Sequence, residues 1–262
     1  MVKGLGSFCL IKNEGLFIKA HLDSWLPILE SMVFYDGGST DGTLEIIKEA
    51  KKRSEFGNKI KLYEDKDPKD LTQDYQKLSN DAMWSVDSDY AIFLHPDQFF
   101  DNASVAQLPK GTISATCNMR SFAGEPDGQI YEIKGRGEKW KNIYRLRNPN
   151  LGAHYYGSYG ASNEDTYFSE ITGNAHEHYS QSFHLYPYPV HDSGITILHY
   201  SDVRPYKRRL ERMIKCMINQ GYSEKDAIKA APLHPRVSLK DGMGFKFNNV
   251  ETPIFMGEKL EC

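Results

Sequence analysis

The sequence predicts an α/β protein with a mostly parallel sheet flanked by helices. Three observations predict it. Over the first hundred of 262 residues, short apolar runs alternate with stretches of helical spacing. Each apolar run stops abruptly in polar residues. The composition, 40% apolar and 26% charged, is that of a folded globular chain.

The elements follow in order. "LGSFCLI", residues 5–11, reads as a buried first strand that stops at Lys12, Asn13 and Glu14. A helix follows through Phe17, Ala20, Leu22 and Trp25, and Pro27 limits it. "SMVFY" is a second strand and runs into "DGGSTDGT". "TLEIIKEAKKR" is amphipathic, with Leu44, Ile47 and Ala50 on one side. "KIKLYED", residues 59–65, reads as a third strand. Leu71 to Val86 is a helix, with Tyr75, Leu78, Ala82 and Val86 near one face. "YAIFL" is the fourth strand, ending in "HPDQFF". Parallel neighbours joined by crossover helices explain this order.

Later the pattern changes. "GTISATCNM" and "GQIYEIKG" read as strands around the turn-rich "GEPDG". Residues 145–194 show little periodicity and read as irregular. "GITILHY" is a further strand, Arg204 to Gln220 a helix, and "SEKDAIKAA" a short helix capped by Ser223. From Pro232 the chain reads as loop.

In parallel α/β sheets, ligands bind beyond the carboxyl ends of the strands. Asn13, Glu14, Asp36, Asp65, His95 and Asp97 all lie just after a predicted strand, so they converge on one edge. Gly37 and Gly38 permit a tight turn after the second strand. Ser39 or Thr40 would cap the next helix, and Asp41 lies where the helix dipole favours an anion. Two readings stay open: a capped turn, or a nucleotide pocket in which Asp36 accepts hydrogen bonds from base or ribose.

Composition excludes little else. A net charge of −3 gives no basic excess for nucleic acid. The densest basic run, Arg204 to Lys215, is accounted for by a solvated helix face. The four cysteines are scattered without a CxxC pair, so neither a cysteine zinc site nor a disulfide framework is expected, and a cytoplasmic location fits. The N-terminal stretch does not read as a signal peptide, and no run suits a membrane span.

"YDGGSTDGT", residues 35–43, resembles the "DDGSTDGT" signature of family 2 glycosyltransferases. "IKNE" resembles that family's early nucleotide-contacting loop, "LSNDA" (78–82) lies where the family often carries an Arg-Asn pair, and "AIFLHPDQFF" lies where it carries "ilflDaDE". The likeness covers residues 7–100 and is weak afterwards. It implies a GT-A fold, Rossmann-like, and a nucleotide-sugar donor, with UDP the expected nucleotide. It also implies inversion at the anomeric carbon. Residues 1–110 would bind the nucleotide sugar, and 111–262 would form the acceptor-binding half of the same domain.

By that resemblance Asn13, Glu14, Asp36, Ser39, Asp81 and His95 would contact the donor, while Asp97, with His95 and His199, would hold Mn²⁺ or Mg²⁺ at its diphosphate. The sequence departs from the pattern at His95, which replaces an acid, and at Asp81, which follows Asn80 without the usual preceding Arg. Arg204, Lys207 and Arg208 offer cations for a diphosphate.

An inverting transfer needs a base for the acceptor proton. "SNEDTYF" supplies Glu164 and Asp165, and "GNAHEHY" supplies His176, Glu177 and His178. Asp165 or Glu164 is favoured over Glu177 by its Gly-rich setting. Tyr155, Tyr156 and Tyr159 would stack on a sugar or base, or pack a loop. The acceptor class stays open among a glycan, a lipid-linked glycan, a protein and a modified nucleic acid. A nucleotidyltransferase and a non-catalytic nucleotide-sugar binding module are the alternatives.

Overall fold

The computed structural model describes residues 4–53, 55–64, 75–103, 106–109, 112, 114–126, 128–134, 139–145, 153–157, 165–169, 175–176 and 190–250. Strands β1 (Leu5–Ile11), β2 (Ser31–Asp36), β3 (Ile60–Glu64) and β4 (Tyr90–Phe93) lie in the order β3-β2-β1-β4, every pair parallel. All seven residues of β1 are buried, as a central strand covered on both faces requires.

Alternation along the strands sorts their side chains onto two faces. Phe8, Leu10, Val33, Ala91 and Phe93 face helix α3 (Tyr75–Trp84) and pack with its Leu78, Ala82 and Met83. Helices α1 (Ile18–Trp25) and α2 (Thr43–Lys52) follow β1 and β2. Helix α1 buries Ile18, His21, Leu22 and Trp25, an i, i+3, i+4, i+7 stripe. Strand β5 (Gln98–Phe100) returns under α1, where Phe99 meets Phe17 and Phe100 meets the Trp25 edge.

Beyond β4 the pairing turns antiparallel. Strand β8 (Lys139–Arg145) pairs with β4, and β6 (Ser114–Gly124) pairs with β8. Three further strands, β9 (Ala153–Gly157), β10 (Asp165–Ser169) and β11 (Ala175–His176), form a separate antiparallel sheet. This corrects the expectation of an irregular segment over 145–194. Short antiparallel strands depend on their partners more than on their own periodicity.

Two compact units divide the chain. One gathers Met1–Asn118, Lys139–Tyr159 and Asn163–Ile197; the other gathers Met119–Glu138, Gly160–Ser162 and Leu198–Cys262. Strands β6 and β12 (Val190–Val203) contribute to both. In the second unit β7 (Ile130–Lys134) lies between the far half of β6 and strand β13 (Lys246–Asn249). Phe122 stacks on Tyr200 with ring centroids 4.7 Å apart. Helices α4 (Tyr206–Asn219), α5 (Glu224–Ala230) and α6 (Pro235–Ser238) complete it. The Ser223 side chain caps α5 as expected, accepting from the Asp226 amide. Strand β13 and α6 fall where the sequence reads as loop.

Arg209 anchors α4. Its guanidinium donates to the Gly124 carbonyl (2.6 Å), the Arg204 carbonyl and the Glu125 carboxylate (2.7 Å), and its side chain is 4% exposed. Glu132 on β7 is held by Arg120 and Lys134. Burial pushes its carboxyl up, but those two cations outweigh it and hold the group below its usual range.

Candidate functional site

The carboxyl ends of β1, β2 and β4 bring three segments to one sheet edge: residues 12–15, 37–42 and 95–97. Parallel register sets this, because Ile11 lies opposite Asp36 and the Leu94 amide donates to the Phe8 carbonyl at 3.1 Å.

The first two segments interlock. Asn13 takes a left-handed backbone, φ 57°. Its amide donates to Ser39 Oγ (2.9 Å), and its own Oδ1 accepts from the Thr40 amide (2.8 Å). The Glu14 amide donates to Thr43 Oγ1 (2.8 Å), and the Gly15 amide to Asp41 Oδ2 (2.9 Å). Gly15 is needed here, since a Cβ on it would come within 2.8 Å of the Asp41 carbonyl oxygen.

Asp36 is 1% exposed, and its carboxylate turns into its own loop. Oδ2 accepts from the Gly38 and Ser39 amides, both at 2.9 Å, and Oδ1 from the Ser39 hydroxyl. Neither Ser39 nor Thr40 caps α2. The N-cap is Gly42 in the left-handed region, φ 90°, and Asp41 Oδ1 receives the Thr43 amide and hydroxyl. Burial pushes the Asp41 carboxyl up, yet the Thr43 hydroxyl and the Gly15 and Thr43 amides together hold it below its usual value.

The third segment is a tight turn. The Gln98 amide donates to the His95 carbonyl, and the His95 amide to Gln98 Oε1, both at 3.0 Å. The His95 ring is half-buried and meets Phe93 edge-on, centroids 4.6 Å apart. Asp97 is 5% exposed.

Helix α1 grips this turn from beneath. The Gln98 carbonyl accepts from Trp25 Nε1 at 2.8 Å and lies 2.9 Å from His21 Nδ1. A carbonyl only accepts, so Nδ1 carries the proton and Nε2 is bare. Nε2 is buried without a hydrogen-bond partner. Burial lowers the His21 pKa to about 4, against the opposing pull of the Gln98 carbonyl and the Asp97 charge. His21 is therefore a neutral imidazole at pH 7, within electrostatic reach of Asp97.

Sequence reasoning did not single out His21, Trp25 or Gln98 as parts of this turn. The available signal was His21 itself, a titratable residue at a position of α1 that the apolar stripe requires to be buried.

The other predicted residues lie on other elements or outside the described residues. Asp81 is exposed on α3, one position before the buried Ala82. His199 is half-buried in β12, within the second unit. Asp165 opens β10, its backbone paired with Gly157, while its side chain, Glu164 and Glu177 lie outside the described residues. Among the described residues no group of three or more His, Cys, Asp or Glu side chains is placed to hold a metal ion. A metal that arrives with phosphate oxygens needs only one or two protein ligands, and a carboxylate beside an imidazole suits Mn²⁺. Asp97 and His95, two positions apart in this turn, are residues of those two donor types.

No family model matches the chain, and no curated protein matches it. Among solved structures it is similar to a mannosyltransferase from Pyrobaculum calidifontis in complex with GDP-Man and Mn²⁺. That likeness has 10% identity, 91% of this chain and 79% of that one covered, and TM-score 0.46. It is also similar to S. aureus TarS 1–349 in complex with UDP, at 13% identity, 91% and 72% covered, TM-score 0.35. A third is glucosyl-3-phosphoglycerate synthase from Mycobacterium tuberculosis with Mn²⁺, UDP and glucosyl-3-phosphoglycerate, at 16% identity, 47% and 44% covered, TM-score 0.27. These three TM-scores are below 0.5, so the α/β assignment rests on the sheet itself.

Proposed function

We propose that this chain is a glycosyltransferase that moves a sugar from a nucleotide-diphosphate sugar, a UDP-sugar in the first instance, to an acceptor hydroxyl with inversion. The observation that carries the reading is the edge formed by the interlocked 12–15 and 37–42 loops beside the His95–Gln98 turn. It combines the resemblance in "YDGGSTDGT" with a rigid rim where a parallel sheet takes its ligands.

In this reading Asn13, Glu14 and Ser39 meet the nucleoside side of the donor. Asp36 acts as a positioning residue, because its oxygens already hold the loop. His21 and Trp25 fix the turn that presents Asp97 and His95. A Mn²⁺ or Mg²⁺ held by Asp97 and His95 would offset the negative charge that grows on the leaving diphosphate. Asp165, Glu164 or Glu177 takes the acceptor hydroxyl proton. The hydroxyl oxygen then forms its bond to the anomeric carbon as the bond to diphosphate breaks. The nucleoside diphosphate departs.

The test is a thermal-shift panel of UDP- and GDP-sugars with and without Mn²⁺ or Mg²⁺, followed by assay of donor hydrolysis. A donor at a hundred times its Kd should stabilise the fold by about 2.7 kcal/mol. Asp97→Asn should remove the metal-dependent part of the shift. A panel with no shift at all sinks the reading. A shift without hydrolysis or transfer to any acceptor assigns the chain to the binding modules instead.

A further inference from the structure

The second unit carries a surface to which the proposed transfer step gives no role. Residues 204–246 hold eleven Lys or Arg against four Asp or Glu, a surplus of seven positive charges. The whole chain is −3, so the remaining residues sum to −10. The charge is thus strongly polarised along the chain, which the near-neutral total conceals.

Helix α4 divides cleanly. Leu210, Met213, Ile214 and Met217 pack towards Ala227 and Ala231. Its outer face presents Arg208, Glu211, Arg212, Lys215 and Ile218, one acid among three cations. Helix α5 presents Glu224 and Asp226 at its start and Lys225, Ile228 and Lys229 beside them to solvent. The exposed apolar side chains are large: Ile218 at 40%, Tyr222 at 49%, Ile228 at 52% and Leu233 at 80%. Tyr206 and Met243 are exposed as well, whereas Tyr63 and Trp84 are the large exposed apolar residues recorded among the other described positions.

We propose that α4, α5 and the turn at Leu233 form a docking surface for an anionic lipid bilayer. On α4 and α5 the exposed cations Lys207, Arg208, Arg212, Lys215, Lys225 and Lys229 outnumber the exposed acids Glu211, Glu224 and Asp226, and this excess is drawn to acidic headgroups. Aliphatic side chains at Ile218, Ile228 and Leu233 gain nothing from a phosphate backbone in water, but they gain by entering the boundary between headgroups and acyl chains. A nucleic acid would use the cations and leave the aliphatics exposed. A second copy of this chain would bring one surplus of positive charge against another. No helix among the described residues is long and apolar enough to cross a membrane, so the contact is interfacial.

The test is co-sedimentation of the full chain with vesicles of phosphatidylcholine alone and of phosphatidylcholine mixed with phosphatidylglycerol, at low and high salt. It reads no transfer, so it stands apart from the proposed activity. Binding to the anionic vesicles only, weakened by salt, is expected. The triple variant Arg208→Gln, Arg212→Gln, Lys215→Gln should weaken it roughly 100-fold. The variant Ile228→Ser with Leu233→Ser should weaken it by about tenfold while leaving the fold intact, since both side chains are exposed. Equal sedimentation with neutral vesicles, or none with either, overturns the proposal. So does anionic binding that ignores the Ile228 and Leu233 changes, which would assign the surface to polyanions in general. Self-association through this face, read by light scattering and abolished by the same variants, also overturns it.

Discussion

A fully buried imidazole whose N–H is committed to a carbonyl resists a second proton. His21 has an ordinary pKa of 6.5 and a folded value of about 4. Between those values the unfolded chain binds the proton and the folded one does not, so stability is full above 6.5 and falls as pH drops towards 4. The loss from this residue is at most about 3 kcal/mol. Urea unfolding from about pH 7 to about pH 4.5 should show that slope, and His21→Gln should flatten it. An unchanged slope in the variant would remove His21 as its source. The Asp41 carboxyl, held below 3.8, adds a smaller loss at lower pH, because the side chain is exposed. Gly15 makes a separate prediction. Gly15→Ala drives a Cβ against the Asp41 carbonyl, 2.8 Å away, and should cost about 1–3 kcal/mol in thermal unfolding. It should also abolish donor-induced stabilisation by parting the two loops.

At the scale of elements, Arg209 ties α4 to the β6–β7 turn through the Gly124 carbonyl and the Glu125 carboxylate. Arg209→Met keeps the aliphatic stem and leaves the Gly124 carbonyl and Glu125 without their donor. Chemical denaturation should report a loss of about 2–4 kcal/mol. The legibility of the sequence also divides by element. Strands β1, β2 and β4 were readable because each is a short apolar run closed by polar residues, and a buried parallel strand needs little from its neighbours to be recognised, whereas β3 lies at the sheet edge with only Ile60 buried. Strands β8 to β11 and β13 were not, because "HYYG" or "KFNN" becomes a strand only through a partner distant in sequence. The candidate edge was legible as a set of strand endings. Its inner bonding was not: Asp36 turned into its own loop, and Asp41 rather than Ser39 or Thr40 met α2, through tertiary ties invisible along the chain.

At the scale of the whole molecule, two strands run through both compact units. Strand β6 gives Ser114–Asn118 to one and Met119–Gly124 to the other, and β12 changes unit after Ile197. Arg209 holds Gly124 and Glu125 within the second unit, so in calorimetry Arg209→Met should lower the unfolding temperature of that unit. The interlocked loops carry one more consequence. Asn13, Glu14 and Gly15 are three consecutive amides, and Ser39, Thr43 and Asp41 occupy all three. Successive free amides are how a chain makes an anion nest. Here the nest is plugged by the protein's own oxygens, one of them a carboxylate. A phosphate group therefore gains no backbone cradle from these three amides.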